Sequence, residues 1–324
     1  MKATIDVLSH YFSKEKITLV DIGALGGTKA PWTNVRPMLR IVGFEPQDAV
    51  TETIRNENGD LQGGVAIGSE EGSATLYITQ KADNSSLAMP NHAFTQRLAV
   101  SDRYVVTKQE AVNTMSLDSW LKKESISSVD FLKIDTQGTE GDVLKGAQHT
   151  LSSVLGLDIE VNFAKRYIGQ TYFSDIDAIL RDAGFVLFDL QRRYFKYANG
   201  THLGGPKGQL THGTALYFRS IESLNDVLER SDARRNFAAF LSIVMLYGYY
   251  DYALEALNTY GDLLPIEERA LLEKEINSQL SWNQRLPRLS IRFRIARLFD
   301  AMSWIIKQRS RLGTFGDDSI GNVS

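Results

Sequence analysis

Seven short runs of valine, isoleucine, leucine and phenylalanine, spread over the first two thirds of the chain, limit what it can fold into. They fall at residues 17–21, 40–45, 64–68, 129–135, 156–161, 184–190 and 214–219. Helix-patterned stretches at 48–56, 140–151 and 174–183 lie between them. Strands that are apolar without polar alternation are buried on both faces, and amphipathic crossovers join such strands in parallel. The expectation is an α/β fold with a doubly wound, mostly parallel sheet. A Gly-rich turn at 199–208 precedes the last run, so that run returns as an antiparallel strand beside the 184–190 run. Residues 73–79 and 111–116 alternate by two and read as extra strands, with a polar loop at 80–97 between them.

From Ile221 the pattern changes. Residues 223–230, 233–247, 251–260 and 265–279 read as helices, with Asp251 and Pro265 as start signals and no strand signal after them. Residues 246–257 (LYGYYDYALEAL) look like one tetratricopeptide unit, but no second copy exists, so they read as a plain helical hairpin. The expected division is 1–220 for the α/β domain, 221–312 for a helical C-terminal extension and 313–324 for a flexible tail. Within the extension, residues 285–311 carry eight arginines and lysines against one acid, Asp300, with apolar residues at helical spacing. Such a helix can lie on an anionic membrane surface. Docking of its apolar face on the preceding helices is the simpler reading.

Composition removes several function classes. There is no cysteine, hence no disulfide, thiolate zinc site, iron–sulfur cluster or cysteine nucleophile. The five histidines are scattered, so no histidine-rich metal site is expected. A net charge of -3 does not suit a nucleic-acid binder. The apolar run at 237–250 is too short to span a bilayer, and residues 1–16 carry no secretory core. The default location is cytoplasmic, with contact at the inner membrane face open through 285–311.

The chemistry gathers at the ends of the strands. The first run ends in DIGALGG, residues 21–27, where Leu25 takes the middle-glycine place of a dinucleotide fingerprint. A pyrophosphate would also meet the charge of Asp21. Glu45, Asp135 and Glu160 end three other runs, so a parallel sheet brings four carboxylates to one rim. Four acids together need a cation or hydrogen-bond donors. An acid after the second strand suits a ribose diol. A ligand with a ribose, a positive charge and no phosphate fits the description of S-adenosylmethionine. Any one of these acids alone would read as a turn cap.

The blocks VDIGALGG (20–27), GFEP (43–46), VAIGSEEGSATLYI (65–78), NSSL (84–87), TMSLDSWL (114–121), DFLKIDTQGTEGDVLKGA (130–147) and LDIEVNF (157–163) resemble, in this order, the FkbM-type branch of class I S-adenosylmethionine-dependent methyltransferases. The resemblance covers about residues 17–219. It implies a seven-stranded Rossmann-like sheet and S-adenosylmethionine as cofactor. It implies Asp21, Gly23 and Gly27 around the methionine end, Glu45 on the ribose, and Ala66 and Ile67 beside the adenine. Ser85 and Ser86 would lie in a loop over the active site, and Asp135 nearest the reacting methyl. Gln137 stands where the family often has Glu, and Thr139 where Ala is usual.

Methyl transfer to a hydroxyl needs a base, and Asp135, Glu160 and His212 are the candidates on the rim. Lys133, Arg166 and Tyr167 could meet a sugar or phosphate, although solvation is the simpler account of Arg166. The expected function is O-methylation of a hydroxyl on a sugar, glycan or related natural product. The helical extension would then serve dimerisation, a glycan-enzyme partner or the membrane surface. A nicotinamide-dependent oxidoreductase and a non-catalytic binding module on the same fold are the alternatives.

Overall fold

The computed structural model of the chain describes residues 15–25, 27, 29–46, 53–56, 59–230, 232–279 and 314–317, together with 12, 299, 302 and 320. Its main sheet is built on strands β1 (Ile17–Ile22), β2 (Leu39–Phe44), β4 (Leu61–Gly63), β8 (Phe131–Ile134) and β9 (Gly156–Asn162). These five run parallel in the order β9-β8-β1-β2-β4. From β1 the chain moves first to β2 on one side and later to β8 and β9 on the other. That reversal leaves a crevice at the carboxyl ends of β1 and β8, where open α/β sheets bind ligands.

The sheet differs from the expected one in size and mixture. Among the described residues it has nine strands, with β10 (Phe185–Phe195), β11 (Gln209–Arg219), β12 (Thr314–Gly316) and β3 (Ile54–Arg55) all antiparallel to their neighbours. The run at 64–68 does not lie beside β2, because Leu61–Gly63 takes that place. Its strand, β5 (Ala66–Gly68), pairs instead with β7 (Val106–Ser116), which also pairs with β6 (Gly72–Thr79) to form a separate three-stranded sheet. The expected helix at 48–56 ends in strand at Ile54–Arg55, and residues 47–52 lie outside the described residues. The tail is not simply frayed either, since Thr314–Gly316 extends the sheet edge against Arg193–Phe195.

Helices α1 (His92–Thr95), α2 (Leu117–Lys123), α3 (Glu140–Lys145), α4 (Gln148–Leu151) and α5 (Phe173–Asp182) precede the C-terminal helices α6 (Ile221–Leu228), α7 (Ala233–Leu246), α8 (Tyr250–Tyr260) and α9 (Ile266–Ser278). The single helix expected over 140–151 breaks into α3 and α4 at Gly146. A side chain there would sit 2.1 Å from the Gly68 carbonyl oxygen, so the break lets β5 approach the backbone.

One face of the sheet packs on α2, α3 and α5 through Val20, Ile22, Leu132, Ile134, Leu157 and Ile159. The other face has little local cover, because the β1–β2 connection holds only a 3-10 turn, Trp32–Met38, with Pro37 inside it. The C-terminal helices supply the cover. Phe237, Phe240, Ile243, Val244 and Tyr247 share one core with Ile17, Leu19, Leu39, Phe131 and Phe218. Residues 236–245 of α7 are buried without interruption, the signature of a helix enclosed on all sides. Asp232 caps α7 by accepting the Arg235 backbone N–H at 3.0 Å. Arg235 then grips Asp130 below β8, which also accepts the Thr18 backbone N–H at 2.7 Å. The helices at 221–278 therefore form the second layer of the fold.

Among the described residues no helix is long and apolar enough to cross a membrane. The basic stretch 285–311 lies outside the described residues apart from Phe299 and Met302.

Candidate active site

A cavity opens at the carboxyl ends of β1, β2 and β8, closed on one side by the three-stranded sheet and on another by the segment at 81–87. Of the residues singled out in the sequence, Gly23, Glu45, Ala66, Ile67, Ser85, Ser86, Asp135 and His212 line it. Four do not. Asp21 and Gly27 border a separate depression on the other side of β1 and β2, and Glu160 and Tyr167 are buried behind the cavity wall.

Asp21 misses the cavity because side chains alternate along a strand. It shares the face of Ile17 and Leu19, under the C-terminal helices. There it accepts a hydrogen bond from Lys133 Nζ at 2.6 Å. Burial raises the Asp21 carboxyl above its ordinary value, while Lys133 opposes. Burial alone would lower the Lys133 ammonium, but Asp21, Asp135 and Asp158 together raise it. Lys133 is thus an interior counter-ion rather than a sugar or phosphate ligand.

In the same layer Tyr247 OH donates to Asp158 Oδ2 at 3.1 Å and accepts from Trp32 Nε1 at 3.1 Å. Burial pushes Asp158 up to about 7, with Lys133 opposing and Asp21 adding. An acid raised on folding stabilises nothing extra at low pH and costs stability as pH climbs from ~4 toward its folded value. Asp158→Asn, which keeps an oxygen for Tyr247, is therefore expected to raise the melting temperature at about pH 8 and leave it nearly unchanged at about pH 4. Thermal melts at the two pH values check this; equal shifts would contradict it.

The opposite wall of the cavity holds a second polar cluster. Asp135 follows β8, and its Oδ1 accepts from Gln137 Nε2 at 2.6 Å. The same nitrogen donates to Glu160 Oε2 at 2.8 Å. Arg166 pairs with Glu160 and donates to Asn162 Oδ1 from Nε at 2.9 Å and from Nη2 at 2.7 Å. Only 1% of Arg166 is exposed, which overturns the solvated reading of that residue. Burial raises the Glu160 carboxyl, Arg166 pulls it down, and Asp135 and Glu140 add to the rise. Glu160 has a donor at each oxygen and no route to the cavity, so it is not placed to act as a base. Glu140 opens α3, where its carboxylate accepts the Gly138 backbone N–H at 3.0 Å and the Thr136 backbone N–H at 3.2 Å.

Tyr167 ties the wall to the loop above it. Its hydroxyl lies 2.9 Å from the Asn84 carbonyl oxygen and 3.1 Å from Gln137 Oε1. Ser86 Oγ donates to the Thr136 carbonyl at 3.1 Å, and Ser85 Oγ accepts the Thr79 backbone N–H at 3.1 Å. Loop and strand end are thereby held in fixed relation.

His212 lies inside β11, not ahead of it as its sequence context implies, because the strand begins at Gln209. Thr211 Oγ1 donates to the Arg193 carbonyl at 3.3 Å and lies 2.9 Å from His212 Nδ1. Burial, then Arg166, Arg193, Lys81 and Arg103, push the imidazole well below its usual value, so it is neutral.

Two contributors escaped the sequence reading. Thr139 lines the cavity, yet its enclosed hydroxyl has no hydrogen-bond partner among the described residues. Gln137, noted there only for standing where the family often has Glu, lines the cavity in a left-handed conformation with φ of +58°.

The chain is 26% identical over 165 residues to the 2-O-methyltransferase NoeI of Sinorhizobium fredii (strain NBRC 101917 / NGR234). That match covers 47% of this chain and 66% of NoeI, so the chain spans just under two thirds of that relative. Among solved structures, the SAM-bound magnesium protoporphyrin IX methyltransferase ChlM from Synechocystis PCC 6803 overlaps 68% of this chain and 79% of its own. The identity there is 11% and the TM-score 0.27. The family described as Methyltransferase FkbM domain matches residues 21–187. With over half of its length inside that match, and the cavity walls from Gly23 to Gln137 with it, the chain belongs to the FkbM methyltransferase family.

Proposed function

We propose that the protein is an S-adenosylmethionine-dependent O-methyltransferase acting on a hydroxyl of a sugar, glycan or related natural product. The observation that carries this reading is the convergence of Gly23, Glu45, Asp135 and Thr139 on one cavity at the rim of the sheet.

The residues fit the cofactor on two counts. Glu45 follows β2, the position from which a carboxylate receives both hydroxyls of a ribose. Ala66, Ile67 and Leu76 give an apolar wall for a purine.

S-adenosylmethionine brings a methyl group already activated by a sulfonium leaving group. The protein is left to align a hydroxyl and take its proton. Asp135 lines the cavity with a carboxylate and is assigned the proton. His212, held neutral, suits orientation of the hydroxyl better than removal of its proton, since its depressed value makes it a weak base. The loop at 82–87, pinned through Tyr167, covers the acceptor side. Transfer to oxygen also agrees with the likeness to a protein described as a 2-O-methyltransferase.

Calorimetric titration with S-adenosylmethionine, followed by transfer of a tritiated methyl group into fractionated glycan extracts, tests the reading. Failure to bind the cofactor at millimolar concentration would end it. Glu45→Ala is expected to weaken cofactor binding about 10- to 100-fold, the worth of a charge-assisted hydrogen bond or two. An unchanged affinity would remove Glu45 from the site.

A further inference from the structure

Gln137 holds a backbone conformation that side chains with a Cβ seldom adopt, and such positions persist only where their surroundings fix them. What fixes Gln137 is its amide. Arg166 Nη1 donates to its Oε1 at 3.3 Å, and the Tyr167 hydroxyl lies 3.1 Å from the same atom. At the other end Nε2 donates to Asp135 Oδ1 at 2.6 Å and to Glu160 Oε2 at 2.8 Å. The two ends cannot be exchanged. Turning the amide would aim an NH2 at a guanidinium and a carbonyl oxygen at two carboxylates.

We propose that Gln137 is a positioning residue for methyl transfer: it anchors one oxygen of Asp135, leaves the other to the cavity, and couples Asp135 to the buried Arg166–Glu160 pair. The proposal rests on Asp135 as the proton acceptor assigned above. Two observations support it. Among the described residues no other side chain hydrogen-bonds Asp135. Charged and titratable groups surround the amide from every side: Asp135, Glu160 on β9, Glu140 on α3, Arg166 and Tyr167 after β9, and Tyr104 near Arg166. In that crowd a donor between two acids relieves repulsion that an acid at the same place would increase. Small displacements of a catalytic group also carry large rate penalties, so a single firm anchor matters.

Two substitutions in the full chain separate the possibilities. Gln137→Glu keeps the shape and the oxygen facing Arg166 and Tyr167, but sets a third carboxylate against Asp135 and Glu160. One proton must then be shared among them. Label transfer into an active glycan extract should reach its maximum rate at a pH about one unit or more higher than in the wild type. Gln137→Met removes the anchor, and transfer should fall about 10- to 100-fold while affinity for S-adenosylmethionine stays within about threefold. A readout without acceptor accompanies these. Calorimetry of S-adenosylmethionine binding in two buffers of different ionisation enthalpy should show proton release for Gln137→Glu in excess of the wild type, because a cationic ligand displaces the shared proton. Wild-type pH profiles and wild-type proton release in Gln137→Glu would overturn the proposal, as would a loss of transfer in Gln137→Met matched by lost cofactor affinity. If the wild type transfers label to no extract, the acceptor reading fails on its own, and the proton-release comparison still decides the role of Gln137.

Discussion

Gly23→Ala is expected to lower S-adenosylmethionine affinity more than ~100-fold, a loss above roughly 2.7 kcal/mol, and to lower the melting temperature as well. The reason is space as much as conformation. Gly23 follows β1 with φ of +85°, and a Cβ placed there would lie 1.9 Å from the Asp135 carbonyl oxygen. No real contact is that short, and the obstacle is main chain at the end of β8, which cannot rotate away. Either β1 and β8 part at the rim, where Asp135 N donates to the Ile22 carbonyl at 2.8 Å, or the loop leaves the cavity floor. Both outcomes disturb the wall that carries Asp135. Gly27→Ala is the control. Its φ is also positive, +74°, but a Cβ there meets none of the described residues within 4 Å. Only backbone strain of about 1–2 kcal/mol remains, and it falls outside the cavity, so cofactor affinity should change less than about threefold. Calorimetry and thermal melts on the two variants separate the effects. Equal losses at both glycines would mean that the cofactor does not lie against Gly23.

The strands that build this rim are legible in the sequence because apolar runs and amphipathic crossovers follow from burial alone. Facing is a finer matter. Asp21, Glu45, Asp135 and Glu160 do end neighbouring parallel strands, but only Glu45 and Asp135 reach the cavity. The period of two already places Asp21 on the side of Leu19, opposite Val20 and Ile22, so its withdrawal could have been read. The fate of Glu160 could not, since it depends on a turn that brings Arg166 back onto a residue six positions earlier. The C-terminal helices were equally plain as helices and hidden as a layer. Their hint is a mismatch of local patterns. The β1–β2 connection carries Pro31 and Pro37 and no helical period, which leaves a sheet face bare, while residues 236–245 are too apolar for any surface. The second sheet was masked for a different reason. A three-residue strand such as Ala66–Gly68 is too short to declare its partner.

Arg166→Met is expected to cost about 3–5 kcal/mol of stability, because it leaves an uncompensated acid in the interior. Glu160 keeps Gln137 as a donor but loses its counter-charge, with Asp135 and Glu140 close by and the Asn162 side-chain oxygen stripped of two donors. The loss should depend on pH with a definite sign. Glu160 is already raised by burial, and without Arg166 it rises further. A carboxyl whose folded value lies above its unfolded ~4.3 gives its full relative stability below that pH and loses it as pH climbs toward the folded value. The variant should therefore sit nearest the wild type at about pH 4–5 and furthest from it at about pH 8. Adding Glu160→Gln to Arg166→Met removes the stranded charge and should recover much of the loss at the higher pH, with little effect at the lower. Denaturant melts of the two single variants and the double variant at both pH values complete the cycle. A loss that is the same at both pH values, or a double variant no better than Arg166→Met alone, would mean that Arg166 acts by packing under Tyr104 and Tyr167 and not as the counter-ion of the wall that holds Asp135.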